Sequence, residues 1–352
     1  MNPTRFPIWQ WRLITLRAPT SRTIKGALFT IILLITALLL SLLLGHQGLA
    51  PMSLVKALFG RASDYEHWLL WQSRLPRALC AVGAGMALGL SGAVFQSLTR
   101  NPLGSPDILG INAGASAGAV LWLLWLPALP LLFGALLGVV IVLFLFFAGL
   151  GRQWQFSRNL ILMGIAINAF AIALVQFALT LVQREQAQQM LGYLSGSLAH
   201  RTWYDVLLIS SVLLLVLPSL LLLSRRLAIL SLGRELAQAL GNPVRQTQTV
   251  ALLLATLLAL GAVLCAGPVA FVALVAPHLA RFGHRQLALL RSALIGALLL
   301  LGADTLTLLL PSNQRLPVGV LTALIGGLYL ALLLTRELWA QAPLIKNRTG
   351  ER

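Results

Sequence analysis

Long stretches without any charged residue are the feature that most restricts how this chain can fold. The two longest run from Ile108 to Gly151 and from Gln246 to Ala280, 44 and 35 residues respectively. A transmembrane helix needs about 20 apolar residues, so the first stretch is long enough for two crossings. Only 10% of the 352 residues are charged, against about 25% in a soluble domain. The sequence therefore predicts an all-α protein that crosses a membrane many times.

Basic residues indicate how the chain is oriented. The net charge is +17, and 19 of the 26 lysines and arginines fall in the terminal segments and alternate loops that we predict on one side. Short loops rich in lysine and arginine face the cytoplasm. Both termini are therefore predicted to be cytoplasmic, with an even number of spans between them. The charge reflects membrane topology rather than nucleic-acid binding.

The chain divides into three segments. Residues 1–25 form a basic cytoplasmic segment, 26–335 form a transmembrane domain of about ten helices, and 336–352 form a cytoplasmic tail. The longest internal loop of the domain is predicted at 224–245. The stretch 268–280 is short for a crossing, and the sequence leaves open whether it is a full span or a re-entrant segment.

The stretch from Arg74 to Ala119 contains two predicted crossings joined by a tight polar loop. Small residues spaced four apart let helix backbones approach closely in lipid. Glycines with this spacing are Gly85 and Gly89 in the first crossing and Gly110, Gly114 and Gly118 in the second. The loop between them is rich in Pro, Gly and Asn, and such backbone at the membrane edge is tolerated where protein or water surrounds it.

Several motifs together resemble the iron-siderophore permease family, also called the FecCD type. They are Arg74-Leu75-Pro76-Arg77, Gln96 with Asn101-Pro102-Leu103, Leu109-Gly110, Gly267-Pro268 with Pro277-His278, and Leu316-Pro317-Val318-Gly319. The resemblance covers most of the chain after the first hydrophobic segment. It implies the fold of a type II ABC importer permease, similar to the cobalamin permease.

The same resemblance implies a function. Members are permease subunits of ATP-driven importers in the bacterial inner membrane. The substrate expected here is a ferric siderophore of catecholate type, similar to enterobactin, with cobalamin or haem as the alternative. The implied partners are a second permease subunit, identical or paralogous, two copies of an ABC ATPase, a periplasmic siderophore-binding protein and membrane lipid. No cofactor or metal bound by this chain is expected.

The family motifs assign roles to particular residues. Arg74 and Arg77 match arginines that meet acidic residues of the binding protein, although anchoring at the membrane interface is the alternative. Asn101, Leu103 and Ser157 match a cytoplasmic gate, where the neighbouring Phe156 departs from the small polar residue of the cobalamin permease. The ATPase-coupling motif of ABC importers matches the internal loop 224–245 except at Leu236. Its predicted residues are Gly233, Glu235, Ala237, Leu240 and Gly241.

Energy for import must come from another chain. The sequence contains no phosphate-binding loop of the form G-x-x-x-x-G-K-[ST]. We therefore expect no catalytic residue in this chain, and ATP with Mg²⁺ to be used by a partner subunit.

Polar residues at membrane depth are candidates for lining a pathway, although amide side chains also join transmembrane helices through hydrogen bonds. The candidates are Gln96, Asn112, Asn168 and Gln176. Asp304 is the one carboxylate inside a predicted span. It could carry a proton in a secondary transporter, but we expect it to bond a neighbouring helix end, because no buried basic partner is visible.

A third class of function is an intramembrane serine protease. Gly89-Leu90-Ser91-Gly92 fits a nucleophile pattern, and His278 could act as a base. The sequence provides no third residue to orient the histidine. Ser91 is therefore expected to serve helix packing and His278 to bond a span end.

Overall fold

A computed structural model describes residues 8–11, 14–17, 21–44, 51–126, 129–150, 158–281, 289–310 and 316–349. The first elements are two short strands, β1 (Ile8–Trp11) and β2 (Ile14–Arg17), which pair antiparallel with Ile8 opposite Arg17. The rest is helical, so the predicted all-α class is confirmed apart from this hairpin within the basic N-terminal segment.

Among the described residues, fourteen α-helices follow the hairpin. They are α1 (Ser21–Leu43), α2 (Pro51–Leu58), α3 (Asp64–Trp68), α4 (Leu75–Thr99), α5 (Ile111–Trp125), α6 (Leu131–Leu150), α7 (Arg158–Leu181), α8 (Arg184–Leu194), α9 (Trp203–Leu230), α10 (Arg234–Ala239), α11 (Val244–Ala266), α12 (Val272–Ala280), α13 (Leu289–Leu309) and α14 (Val318–Thr349). A π-helical segment (Leu69–Arg74) joins α3 to α4, and a 3₁₀ turn (Pro106–Leu109) precedes α5.

Eight of the described helices are long and apolar enough to cross a membrane. The second of these is longer than its hydropathy predicts, because α3, the π-helical segment and α4 form 36 continuous helical residues. It begins at a capping box, in which the Ser63 hydroxyl accepts from the Glu66 amide and the Glu66 carboxylate accepts from the Ser63 amide. The shorter α5 and the nine-residue α12 are the other two segments in the sequence prediction of about ten.

The segment from Gly267 to Ala280 contains both an extended stretch and a short helix. At one level of α4, the Cys265 thiol contacts the Cys80 carbonyl at 3.8 Å, and further along the Gln96 amide donates to the Leu274 carbonyl at 3.1 Å. Sixteen helical residues separate Cys80 from Gln96, which is about 24 Å.

The nine residue-to-residue steps from Cys265 to Leu274 cover a similar depth. As a helix they would cover only about 14 Å, but Gly267–Phe271 is not helical, and extended backbone rises about 3.3 Å per residue. The segment 268–280 therefore descends through the fold as an extended half followed by α12. We call the Arg77 end of α4 outer and the Arg100 end inner, following the predicted topology.

The glycines of α4 and α5 allow backbone contact with neighbouring helices. A Cβ atom at Gly85 or Gly89 would overlap the backbone of α13, and one at Gly92 would overlap the Ala273 carbonyl of α12. A Cβ at Gly118 would overlap the backbone of α6 in the same way, and one at Gly114 would overlap the Val142 side chain of α6. The predicted close packing is confirmed, and in α4 the glycines lie against α12 and α13.

Candidate functional site

The outer end of α4 is joined to α13 by a buried ion pair. The Arg77 guanidinium donates twice to the Asp304 carboxylate, at 2.9 Å from Nε and 2.8 Å from Nη2, and once to the Thr307 hydroxyl at 3.2 Å. Asp304 is fully buried, while the Arg77 side chain is 26% exposed. A bidentate pair with these distances is a strong charge-assisted contact.

This pair changes the interpretation of Asp304. From the sequence alone, no basic partner of Asp304 was visible, and we expected it to bond a neighbouring helix end. That expectation is wrong, because its partner is the Arg77 guanidinium, 227 residues away in the chain. Ser91 and His278 also lie apart from any catalytic arrangement in the described residues. The fully buried Ser91 hydroxyl donates to the Ala255 carbonyl at 2.7 Å, and the His278 ring packs on Tyr329.

The two predicted docking arginines both contact the interior of the fold. Arg77 lies against α13, and the Arg74 guanidinium donates to the Leu42 carbonyl at the end of α1. Only part of each side chain faces outward, so the structure brings them together at the outer end of α4 without leaving either on an open rim.

The two predicted gate residues that can be described lie in the turn after α4. The Asn101 side chain accepts from the Leu103 amide at 2.9 Å, and the Gly104 amide donates to the Asn101 carbonyl at 3.0 Å. This local bonding is an Asx-type turn, which explains the asparagine. Ser157, with its neighbour Phe156, lies outside the described residues.

The four pathway candidates differ in their surroundings. Gln96 and Asn112 are buried, and each has a side-chain oxygen with no partner in the described structure. Asn168 of α7 is partly buried beside Gly110, and Gln176 is exposed.

A cavity of about 550 Å³ lies between the start of α5, the end of α8, the extended stretch before α12 and the start of α14. Its polar side chains are Asp107, Asn112 and Ser195. Sequence reasoning proposed Asn112 but gave no role to Asp107. A sequence signal was available, since Asp107 is an acid five residues before Asn112 in a Pro-rich loop. In the structure the two side chains are hydrogen bonded.

The predicted coupling loop forms a braced turn with an exposed apolar edge. Ala237 is fully buried, and the Asn242 amide donates to its carbonyl at 2.9 Å. Leu236 and Leu240 are 58% and 62% exposed, four residues apart along α10 and its cap. Leu236 and Leu240 are therefore two exposed leucines on the surface of this loop, at the inner side of the fold.

Three further predicted coupling residues shape this loop or face solvent. Gly233 and Gly241 adopt positive φ, 118° and 74°, at the start and end of α10. Glu235 is exposed in the first turn of α10. Asn242, to which the sequence analysis assigned no role, holds the loop in place by donating to the Arg226 carbonyl at 2.8 Å and accepting from Thr247 at 2.9 Å.

Comparisons with known proteins agree with this architecture. The sequence pattern of the FecCD transport family matches residues 33–336. The chain is 37% identical over 323 residues to the ferric enterobactin transport system permease protein FepG of Escherichia coli, covering 89% of this chain and 97% of that protein. It is 38% identical over 315 residues to the hemin transport system permease protein HmuU of Yersinia pestis, covering 85% and 93%.

A solved structure gives the same result for the fold. It is described as an inward-facing conformation of an ABC transporter of the metal-chelate type, and it matches with a TM-score of 0.76 and 29% identity over 88% of this chain and 98% of that one. The chain therefore belongs to the FecCD transport family, as a multi-pass membrane permease subunit rather than an enzyme.

Proposed function

We propose that this chain is one permease subunit of an ATP-driven importer that moves a ferric siderophore inward across the bacterial cytoplasmic membrane. Family membership over residues 33–336 supports iron-chelate import. The observation that carries the ATP-driven part is the pair of exposed leucines on the braced loop around α10. An exposed apolar edge held by a rigid turn suits docking of a partner protein.

The remaining subunits follow from this proposal. Two ABC ATPases dock at the inner loops, a second permease subunit completes the pathway, and a periplasmic binding protein delivers the chelate at the outer side. Both termini lie in the cytoplasm. A catecholate chelate similar to enterobactin remains our specific prediction, with haem or cobalamin as the alternative, because relatives named for enterobactin and for hemin are equally similar to this chain.

A secondary transporter is the weaker alternative. It needs a carboxylate at membrane depth that can exchange protons or ions. Asp304 is fully buried and held by the Arg77 guanidinium, so its charge is already paired. Uptake by the reconstituted complex should therefore require ATP and persist when the proton gradient is collapsed.

The coupling role is tested by charging the exposed leucines. Replacing Leu236 and Leu240 by Asp should reduce co-purification of the ATPase from the native host by at least about tenfold, because an interface core excludes unpaired charge. Gln238→Asp is the matched control, since it adds one charge to an exposed polar position of the same helix. ATPase recovery that is unchanged in the double variant would overturn the coupling role.

Gly241 and Ala237 are less suitable positions for this test. A side chain at Gly241 would be strained by its φ of 74°, and any larger residue at the buried Ala237 would disturb the loop itself. Loss of ATPase binding in such variants would not separate a lost contact from a misfolded loop.

A further inference from the structure

The helix α2 carries an exposed apolar stripe at the outer end of the fold. Met52, Val55 and Phe59 are three and four residues apart and are 66%, 48% and 76% exposed. Phe59 continues the helix by one residue, because its amide donates to the Val55 carbonyl at 3.2 Å. Leu54 and Ala57 on the opposite face are buried. The stripe therefore faces away from this chain, and the level of each residue relative to the membrane indicates what covers it.

Two contacts show that α2 runs alongside the start of the long helix Asp64–Thr99. Near the beginning of α2, the Ser53 hydroxyl is hydrogen bonded to the Glu66 carboxylate. Near its end, the Trp71 indole donates to the Ala57 carbonyl at 3.4 Å. Four residue steps of α2 thus match five steps of the long helix, as expected for two helices that descend together from the outer side.

The end of α2 lies level with the end of α1. The Arg74 guanidinium, three residues beyond Trp71 on the long helix, donates to the Leu42 carbonyl. Phe59 is likewise two residues beyond Ala57, the partner of Trp71. These steps rise about 4.5 and 3 Å, so Phe59 and Leu42 lie at similar levels. Leu42 is one residue from the end of the span α1, which places Phe59 at the outer edge of the hydrocarbon core.

Basic residues accompany Phe59 at this level. Lys56 is exposed one turn earlier, and Arg61 is exposed just after Gly60, whose φ of 67° ends the helix. The Arg61 amide donates to the Lys56 carbonyl at 2.8 Å, which holds both residues at the end of α2. Glu66 lies near the opposite end of α2. An apolar ring flanked by cations matches the boundary between acyl chains and lipid phosphates.

We propose that the end of α2 is a phospholipid-binding anchor, in which the Phe59 ring enters the edge of the acyl chains and Lys56 and Arg61 bind phosphates of the outer leaflet. The occupant is lipid rather than a periplasmic protein, because the neighbouring α1 ends at this level and only 17% of its apolar window is buried in this chain. Met52, seven residues before Phe59, lies about 10 Å farther out and above this boundary.

The depth of the stripe can be measured without chelate or nucleotide. The complex that contains the full chain, with Cys80 and Cys265 replaced by Ala, is reconstituted in vesicles of phosphatidylethanolamine and phosphatidylglycerol. A nitroxide label is attached at Phe59→Cys, Val55→Cys or Met52→Cys. Its collision rate with oxygen, which concentrates in acyl chains, is divided by its collision rate with a water-soluble nickel chelate. The ratio for Phe59→Cys should be at least about threefold that for Met52→Cys, with Val55→Cys between them.

Further variants calibrate this ratio and test the charges. Phe144→Cys on α6, at a position 70% exposed within a span, should give a higher ratio than Phe59→Cys. Asp64→Cys, exposed at the outer end of the long helix, should give the ratio of a residue in water. Lys56→Glu with Arg61→Glu places carboxylates at the phosphates and should lower the ratio for Phe59→Cys by at least about twofold. Lys56→Arg with Arg61→Lys keeps both charges and should leave it unchanged.

Four results would contradict the anchor. Equal ratios for Phe59→Cys and Met52→Cys would mean that the stripe does not cross the membrane boundary. Low collision rates of Phe59→Cys with both reagents would mean that another protein subunit covers the ring. Shielding that appears only when a periplasmic binding protein is added would assign the stripe to protein docking. A ratio that is indifferent to the charge reversal would overturn the phosphate contacts of Lys56 and Arg61.

Discussion

Two groups of helices in the membrane domain differ in how much of each helix is buried within this chain. In α4 and α11, 83% and 67% of the residues in the most apolar window are buried within this one chain, whereas in α1, α7 and α14 the buried share is 17%, 22% and 17%. We call α4, α11, α12 and α13 the packed group, and α1, α7 and α14 the exposed group. Hydropathy does not separate them, because all three exposed helices are as apolar as α4.

The two groups also differ in the residues that cover most of their surfaces. The packed group meets through Gly85, Gly89 and Gly92, whose backbones touch those of α12 and α13. The exposed group presents large side chains such as Phe170 and Leu328, each 65% exposed. Since lipid gives apolar helices no hydrophobic pull toward each other, we expect this close backbone packing to make the packed group the more rigid part of the subunit. The exposed group remains available to lipid and to other subunits.

The largest expected effect comes from breaking the polar contact within the packed group. Arg77→Leu leaves the buried Asp304 carboxylate without its guanidinium, and should cost about 3 kcal/mol of stability. This is measured as the shift of thermal unfolding in detergent. Arg61→Leu, at an exposed outer position, is the matched control and should change stability by less than about 0.5 kcal/mol.

The double variant Arg77→Leu with Asp304→Leu separates stability from docking. It removes both charges, so most of the lost stability should return. If Arg77 also docks the binding protein, affinity for that protein should remain low in the double variant and depend less on salt. Affinity that returns with stability would assign Arg77 to the fold alone. A single variant as stable as the parent would contradict the buried pair.

A smaller effect is expected from adding one methyl group at a glycine contact. Gly92→Ala places a Cβ against the Ala273 carbonyl, and should cost about 1–3 kcal/mol because the α12 backbone must move. Gly302→Ala in α13 is the control, since nothing lies within 4 Å of its Cβ position. Equal unfolding temperatures for the two variants would mean that the packed group is not rigid.

The sequence was sufficient for the parts of this fold that depend on hydropathy. Uncharged stretches predicted the crossings, whereas the orientation that the loop charges indicate stays a prediction. The segment 268–280 stayed ambiguous, because hydropathy counts residues and cannot show that Gly267–Phe271 is not helical. Gly267 and Pro268 signalled a break but not its depth.

Pairings between distant residues were beyond the sequence. Asp304 and Arg77 are separated by most of the chain, and without their positions the carboxylate looked unpaired. The Asp107–Asn112 contact is local in the chain, but the cavity beside it is formed together with three other segments. The coupling loop was predictable as a motif, while the distinction between the buried Ala237 and the exposed Leu236 required the fold.

The smallest effect on stability, and the sharpest test of where the packed group ends, concerns the turn after α4. Leu103 contributes its backbone amide to the Asn101 side chain, so Leu103→Cys should leave the turn intact. If this turn gates the pathway, it must occupy two arrangements. In a chain without Cys80 and Cys265, the reactivity of the Leu103→Cys thiol toward a cytoplasmic thiol reagent should change by at least about threefold when nucleotide is trapped on the ATPase.

The control for this gate test is Ser97→Cys. Ser97 is 4% exposed in the packed part of α4, so this thiol should stay unreactive in both states. Identical labelling of Leu103→Cys in the two states would extend the rigid group through the turn and remove the gate from this position.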